Sequence, residues 1–138
     1  MRTPKAVSRL AITLAVMIAI SGCSGGDDSI SGSRPSTTAR LAIVAPRNGE
    51  VVDGPTVQME VSLEGARIVP TTSTNLTPDE GHIHVFLDGR LAGMNFDVEE
   101  PINDVGPGTH VLRVEFVAVD HAPFDPRVFA EVAFEVSG

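Results

Sequence analysis

His82 and His84 flank a single residue, and a third histidine, His121, follows later in the chain between Asp120 and the Ala-Pro-Phe-Asp-Pro run. On a β-strand, residues two apart point to the same face with about 7 Å between them along the backbone. Two imidazoles so placed are near enough to share one ion, and His121 would add a third nitrogen. Asp120, Asp125 and Glu80 are the carboxylates nearby in sequence, as ligands or as partners that orient the rings. A set of imidazoles of this kind suits copper or zinc. The same residues also admit a reading without metal. His82 and His84 then cap a strand and bond loop backbone, and His121 bonds Asp125.

Other chemistries find no residues to carry them. The chain has no Gly-x-Ser-x-Gly elbow, no phosphate-cradling glycine loop and no His-Glu-x-x-His helix. An enzyme is not expected, and a His-rich sheet face lacks the cleft that a zinc hydrolase needs. Without Trp or Tyr there is no strong stacking platform for a sugar. The formal charge is −8, and from Cys23 onward 18 carboxylates face seven arginines, or −11. Such a surface repels nucleic acid and draws cations.

Cys23 is the one cysteine of the chain. Ahead of it stand Arg2, Lys5 and Arg9, then Leu10 to Ile20 without a charge, then Ser21 and Gly22. The apolar run is shorter than the roughly 20 residues that span a bilayer, and it has the order of an export signal. Ile20-Ser21-Gly22-Cys23 resembles the lipobox of bacterial lipoproteins. The resemblance implies that residues 1–22 are removed and that Cys23 is acylated. Two or more acyl chains would hold the protein on a membrane, facing outside the cytoplasm in the cell envelope. Ser24 in the next position resembles lipoproteins that pass to an outer membrane. With its thiol lipidated, the chain has no cysteine left for a disulfide. Ser24 to Thr38 is rich in Ser, Gly, Asp and Thr, so residues 23–38 read as a flexible tether.

The elements that would position the histidines are strands. From Ala39 on, Val, Ile, Leu and Phe alternate with polar residues between Gly, Pro, Asn and Asp punctuation. Six strands are expected, at Arg40–Ala45, Thr56–Leu63, His82–Leu87, Arg90–Met94, His110–Val119 and Val128–Val136. Weaker pieces fall at Ala66–Val69 and Phe96–Val98. Asp88-Gly89 is a two-residue hairpin turn. Residues 39–138 therefore read as one all-β domain, an Ig-like antiparallel sandwich of seven to eight strands. Alternation puts Leu112, Val114, Phe116 and Ala118 inside, with Ile83, Val85 and Leu87 opposite them. Arg113 and Glu115 are then expected outside, with Arg113 free to pair with Glu131 or Glu135. In such a sheet the start of the His82 strand lies beside the end of the His110 strand. That arrangement gathers His82, His84 and His121 and leaves His110 at the other end. Outward Phe86 and Phe129, with the loop around Phe124, offer a contact patch for a protein partner unless Phe124 folds back over the sandwich end.

Val105-Gly106-Pro107-Gly108-Thr109-His110 resembles the approach to the sixth strand of bacterial Ig-like domains. There the aromatic residue bonds back to upstream backbone, which implies a structural corner role for His110. A wider resemblance runs through Ala45-Pro46-Arg47-Asn48-Gly49, Gly81-His82-Ile83-His84, Pro107-Gly108-Thr109-His110 and His121-Ala122-Pro123 with Pro126-Arg127-Val128. In that order these are similar to a bacterial exported domain family of unknown function whose strand usually begins Gly-His-His-His. Here Ile83 replaces the middle histidine. The resemblance implies an Ig-like fold and an extracytoplasmic location.

If Cys23 carries the anchor, Cys23→Ser releases the protein from the membrane fraction or leaves the precursor uncleaved. Membrane retention unchanged, with the mature N-terminus elsewhere, would exclude it.

Overall fold

Leu112, Val114, Phe116 and Ala118 leave one strand in the same direction, and none of them exposes any surface. Period two does the sorting: alternate residues of a strand reach opposite faces, so one apolar set can be sealed away. The computed structural model describes residues 33–138. The expected export signal, Cys23 and the part of the expected tether up to residue 32 lie outside the described residues.

Nine strands are present among the described residues, and no helix. They are β1 (Arg40–Ala45), β2 (Val51–Asp53), β3 (Val57–Glu64), β4 (Arg67–Ile68), β5 (Glu80–Leu87), β6 (Arg90–Asn95), β7 (Glu99–Ile102), β8 (Gly108–Ala118) and β9 (Pro123–Ser137). One sheet has the order β1-β3-β7; the other runs β2-β9-β8-β5-β4, with β6 also paired to β5. The inner faces enclose Val57, Met59 and Val61 from the first sheet and Ile83, Val85, Leu112, Val114, Phe116, Phe134 and Val136 from the second. This is an Ig-like β-sandwich.

Three details differ from the expectation. There are nine strands, because β2 and β7 carry little strand signal: β2 is three residues long and β7 reads Glu-Glu-Pro-Ile. A proline is tolerated in β7 because that strand lies at the edge of its sheet. Phe96–Val98 is a bend that leads into β7. The larger sheet is mixed, since β2 runs parallel to β9 and β4 runs parallel to β5.

The outer face of β8 also departs from simple alternation. Glu115, Val117 and Val119 are buried although they point away from the core. The chain after β4 runs alongside this end of the sheet: Ser73 N–H donates to the Val119 carbonyl, and Val69 N–H to that of Gly81. Arg113 is opposite Glu131 in register yet bonds neither Glu131 nor Glu135. Its guanidinium lies 4.1 Å from the Phe129 ring centroid and 3.6 Å from the Glu115 carboxylate. A carboxylate stripped of water attracts a cation more strongly than a solvated one. Phe124 is buried and stacked on Phe116 at 5.3 Å, so it closes the sandwich end and leaves the contact patch.

Turn chemistry links β5 to β6 as anticipated. Asp88 and Gly89 both have positive φ, 51° and 77°, the geometry of a two-residue hairpin whose twist matches its strands.

Phe116→Ala removes a ring with no exposed surface and is expected to cost about 3–5 kcal/mol. Glu135→Ala, on the solvent side of β9, is expected to change stability by less than about 0.5 kcal/mol. Chemical denaturation of both variants checks the assignment of faces; equal effects would contradict it.

Candidate functional site

The start of β5 lies against the end of β8, in the register Gly81 to Ala118, His82 to Val117 and His84 to Glu115. Gly81 makes this approach feasible. A Cβ there would sit 1.9 Å from the Val117 carbonyl oxygen and 2.9 Å from the Phe116 ring. The glycine that precedes the histidines is therefore a condition of where they stand.

His121 reaches the same place from a tight turn. Its N–H donates to the Ala118 carbonyl, and Ala118 N–H donates to that of Ala122. With φ at +64° it adopts the left-handed conformation, which few non-glycine residues take. The turn folds its ring back over the sheet. The His121 ring centroid is then 4.4 Å from that of His82 and 5.6 Å from that of His84. The structure thus brings together His82, His84 and His121.

The three rings differ in how their nitrogens are occupied. His84 Nε2 lies 3.3 Å from His121 Nδ1, and His121 Nε2 lies 3.0 Å from Thr72 Oγ1. One proton can run along this chain in either direction, since the Thr72 hydroxyl both donates and accepts. His82 is entirely buried, with the Phe96 ring edge-on at 5.0 Å, and neither of its nitrogens has a hydrogen-bond partner. A buried polar group without a partner costs about 1–3 kcal/mol. His84 binds its proton less readily than a free imidazole, chiefly because burial disfavours the cation and then because His121 repels it. Its lone pair is correspondingly available at neutral pH.

Among the described residues no group of three or more His, Cys, Asp or Glu side chains is placed, as it stands, to hold a metal ion. The rings explain this. His121 lies over His82 with centroids 4.4 Å apart and planes tilted by 30°, so those two rings meet by their faces, whereas His84 and His121 meet through their nitrogens. A metal takes the in-plane lone pairs. The 3.3 Å between His84 Nε2 and His121 Nδ1 matches the roughly 3.4 Å separation of two ligands on a tetrahedral ion with bonds near 2.0–2.1 Å. For His82 to join them, its buried ring would have to turn from its packing against Phe96 and His121.

The carboxylates expected to help are engaged elsewhere. Asp120 is gripped through both oxygens by the Arg34 guanidinium, which also donates to the carbonyls of Pro123 and Ala122 at 2.8 Å each. Arg34 holds the Asp120 carboxyl below its usual range, and Asp120 raises the Arg34 value. Glu80 bonds Arg67 at 2.8 Å. Asp125 is exposed, and His121 bonds Thr72 and His84 in place of it. Arg34 also corrects the tether: with Asp125 N–H donating to the Pro35 carbonyl, its last residues are fixed to the domain. A contact between residues so far apart in sequence leaves no local signal.

His110 stands apart from the cluster. Its two nitrogens lie 2.8 Å from the Gly106 carbonyl and 2.8 Å from Asp88 Oδ2. Both partners are acceptors, so both nitrogens bond fully only when each carries a proton. Asp88 accordingly raises the His110 pKa, with Gly106 assisting. The Asp88 carboxyl is lowered, first by the Val111 N–H and then by His110.

No family model matches the chain, and no curated protein does. Among solved structures it is similar to fibronectin(III)-like modules of Clostridium thermocellum CbhA, at 17% identity and a TM-score of 0.49, over 70% of this chain and 95% of that one. It is also similar to an engineered protein, at 10% identity and a TM-score of 0.48, over 72% of this chain and 20% of that one.

The His110 pair sets a pH dependence with a definite sign. A raised folded-state value means its stabilisation is complete below about 6.5, the unfolded imidazole value, and is lost as pH rises through the folded value. Asp88 adds stability above its unfolded value of 3.8 that is lost as pH falls through its lowered one. The stability difference between wild type and His110→Gln should therefore shrink as pH rises beyond about 6.5. Thermal melts across pH 5–9 check this; a difference that grows with pH would contradict it.

Proposed function

We propose that this protein is an envelope lipoprotein, anchored through Cys23, whose Ig-like domain is a binding module for a transition-metal ion, copper or zinc, at His82, His84 and His121. The observation that carries this reading is the buried imidazole of His82, with two unpartnered nitrogens beside two further histidines. Side chains buried for structure alone are almost always hydrogen-bonded. An ion supplies the missing partner, and the acidic surface raises the local cation concentration.

Binding rather than catalysis fits the same surroundings. Asp120 and Glu80, the acids best placed to serve as a general base, are committed to Arg34 and Arg67. Phe96 caps His82 edge-on, where a hydrolytic site would admit substrate. The lipobox-like signal supports export and anchoring, and the order of the motifs supports an extracytoplasmic domain.

A protein carrying Cys23→Ser, which removes the competing thiol, is expected to bind one equivalent of Cu²⁺ or Zn²⁺ in calorimetry. Binding should raise its melting temperature and weaken on acidification, where protons compete for the nitrogens. His82→Phe should abolish binding yet raise the melting temperature of the metal-free protein, because it replaces an orphaned polar ring by an apolar one. His110→Gln should leave binding intact. Failure of both ions to bind, or full affinity in His82→Phe, would overturn the metal reading.

A further inference from the structure

β6 runs antiparallel to β5 with Met94 directly opposite His84. Directly opposed residues share a face of the sheet, with Cβ atoms about 4.5–5.5 Å apart. Phe96, two residues further on, has the same parity, and its ring does touch His82. Met94 is thus the residue that flanks His84 as Phe96 flanks His82. It remains half exposed, a large apolar side chain with no place in the core. We infer that Met94 is the thioether ligand of this site and that the site prefers Cu(I) over Zn²⁺. The inference rests on the metal reading above and extends it to a fourth ligand and a choice of ion.

The donors left free at the site decide the preference. Glu115 lies opposite His84 on the other neighbouring strand, but both its oxygens bond Arg127, at 2.6 and 2.7 Å. Asp120 is held by Arg34 and Glu80 by Arg67. Each hard carboxylate bordering the cluster is neutralised by an arginine. What remains is three imidazoles and one thioether. Thioether sulfur is a soft donor that selects Cu(I), whereas Zn²⁺ is served by imidazole, thiolate and carboxylate. The unbranched Met side chain has the freedom to bring its sulfur to an ion beside His84.

The test uses purified protein with Cys23→Ser, titrated anaerobically with Cu(I) against a chromophoric Cu(I) chelator and separately with Zn²⁺. Met94→Leu keeps the volume and removes the sulfur. It is expected to lower Cu(I) affinity by about 10-fold or more, at least the cost of losing a supporting partner, and to leave Zn²⁺ affinity unchanged. X-ray absorption of the copper-loaded protein should show a sulfur neighbour that Met94→Leu lacks. His84→Ala should weaken both ions. If Met94→Leu binds Cu(I) as wild type does while His84→Ala loses both ions, the histidine site stands and the thioether ligand is wrong. Equal weakening of both ions in Met94→Leu would make Met94 a packing residue and also overturn the proposal. Retention of Cu(I) by His84→Ala would place copper elsewhere. If wild type binds neither ion, the metal reading itself fails.

Discussion

The pairing of β5 with β8 is the constraint from which the rest follows. One register, from Gly81 opposite Ala118 to Leu87 opposite Leu112, turns Ile83 and Val85 into the core beside Phe116 and Val114. The same register turns His82 and His84 the other way. A slip of one residue would bury imidazoles in the sandwich and expose its aliphatic residues. Core and candidate site are therefore two faces of a single alignment. The absence of a side chain at Gly81 secures it, because any Cβ there would collide with the Val117 carbonyl.

Charge is organised around the same strands. The described chain is strongly acidic, yet three arginines converge on carboxylates near the histidines: Arg34 on Asp120, Arg67 on Glu80 and Arg127 on Glu115. Glu115 is almost fully buried, and a carboxylate there without a cation would face a large desolvation cost. These pairings leave His84 and His121 bonded to each other and to Thr72 rather than to a carboxylate, and His82 without a partner. They also keep formal charge from accumulating beside the imidazoles.

Much of this was legible in the residues, for reasons that differ by element. Alternation in Leu112–Ala118 and Ile83–Leu87 marked the core face, and strand order alone indicated that His121 meets His82 rather than His110. Asp88-Gly89 announced its own turn. β7 was hidden because two glutamates and a proline carry no strand preference and are tolerated only at an edge. Val117 and Val119 are buried where the β8–β9 register shifts and Ser73 bonds the Val119 carbonyl, and periodicity within β8 reveals neither. Arg34 and Met94 were missed for a related reason. The first contacts a loop at the far end of the sequence, and the second becomes a neighbour of His84 only through the register of β6.

The grip of Arg34 has a mechanical side. Any pull along the chain from its N-terminal direction enters the domain through that guanidinium, before it can load β1. It arrives at Asp120 and at the carbonyls of Ala122 and Pro123, on either side of His121. Tension would thus reach the imidazole turn first and the sandwich second. Arg34 and the ring cluster share one point of attachment.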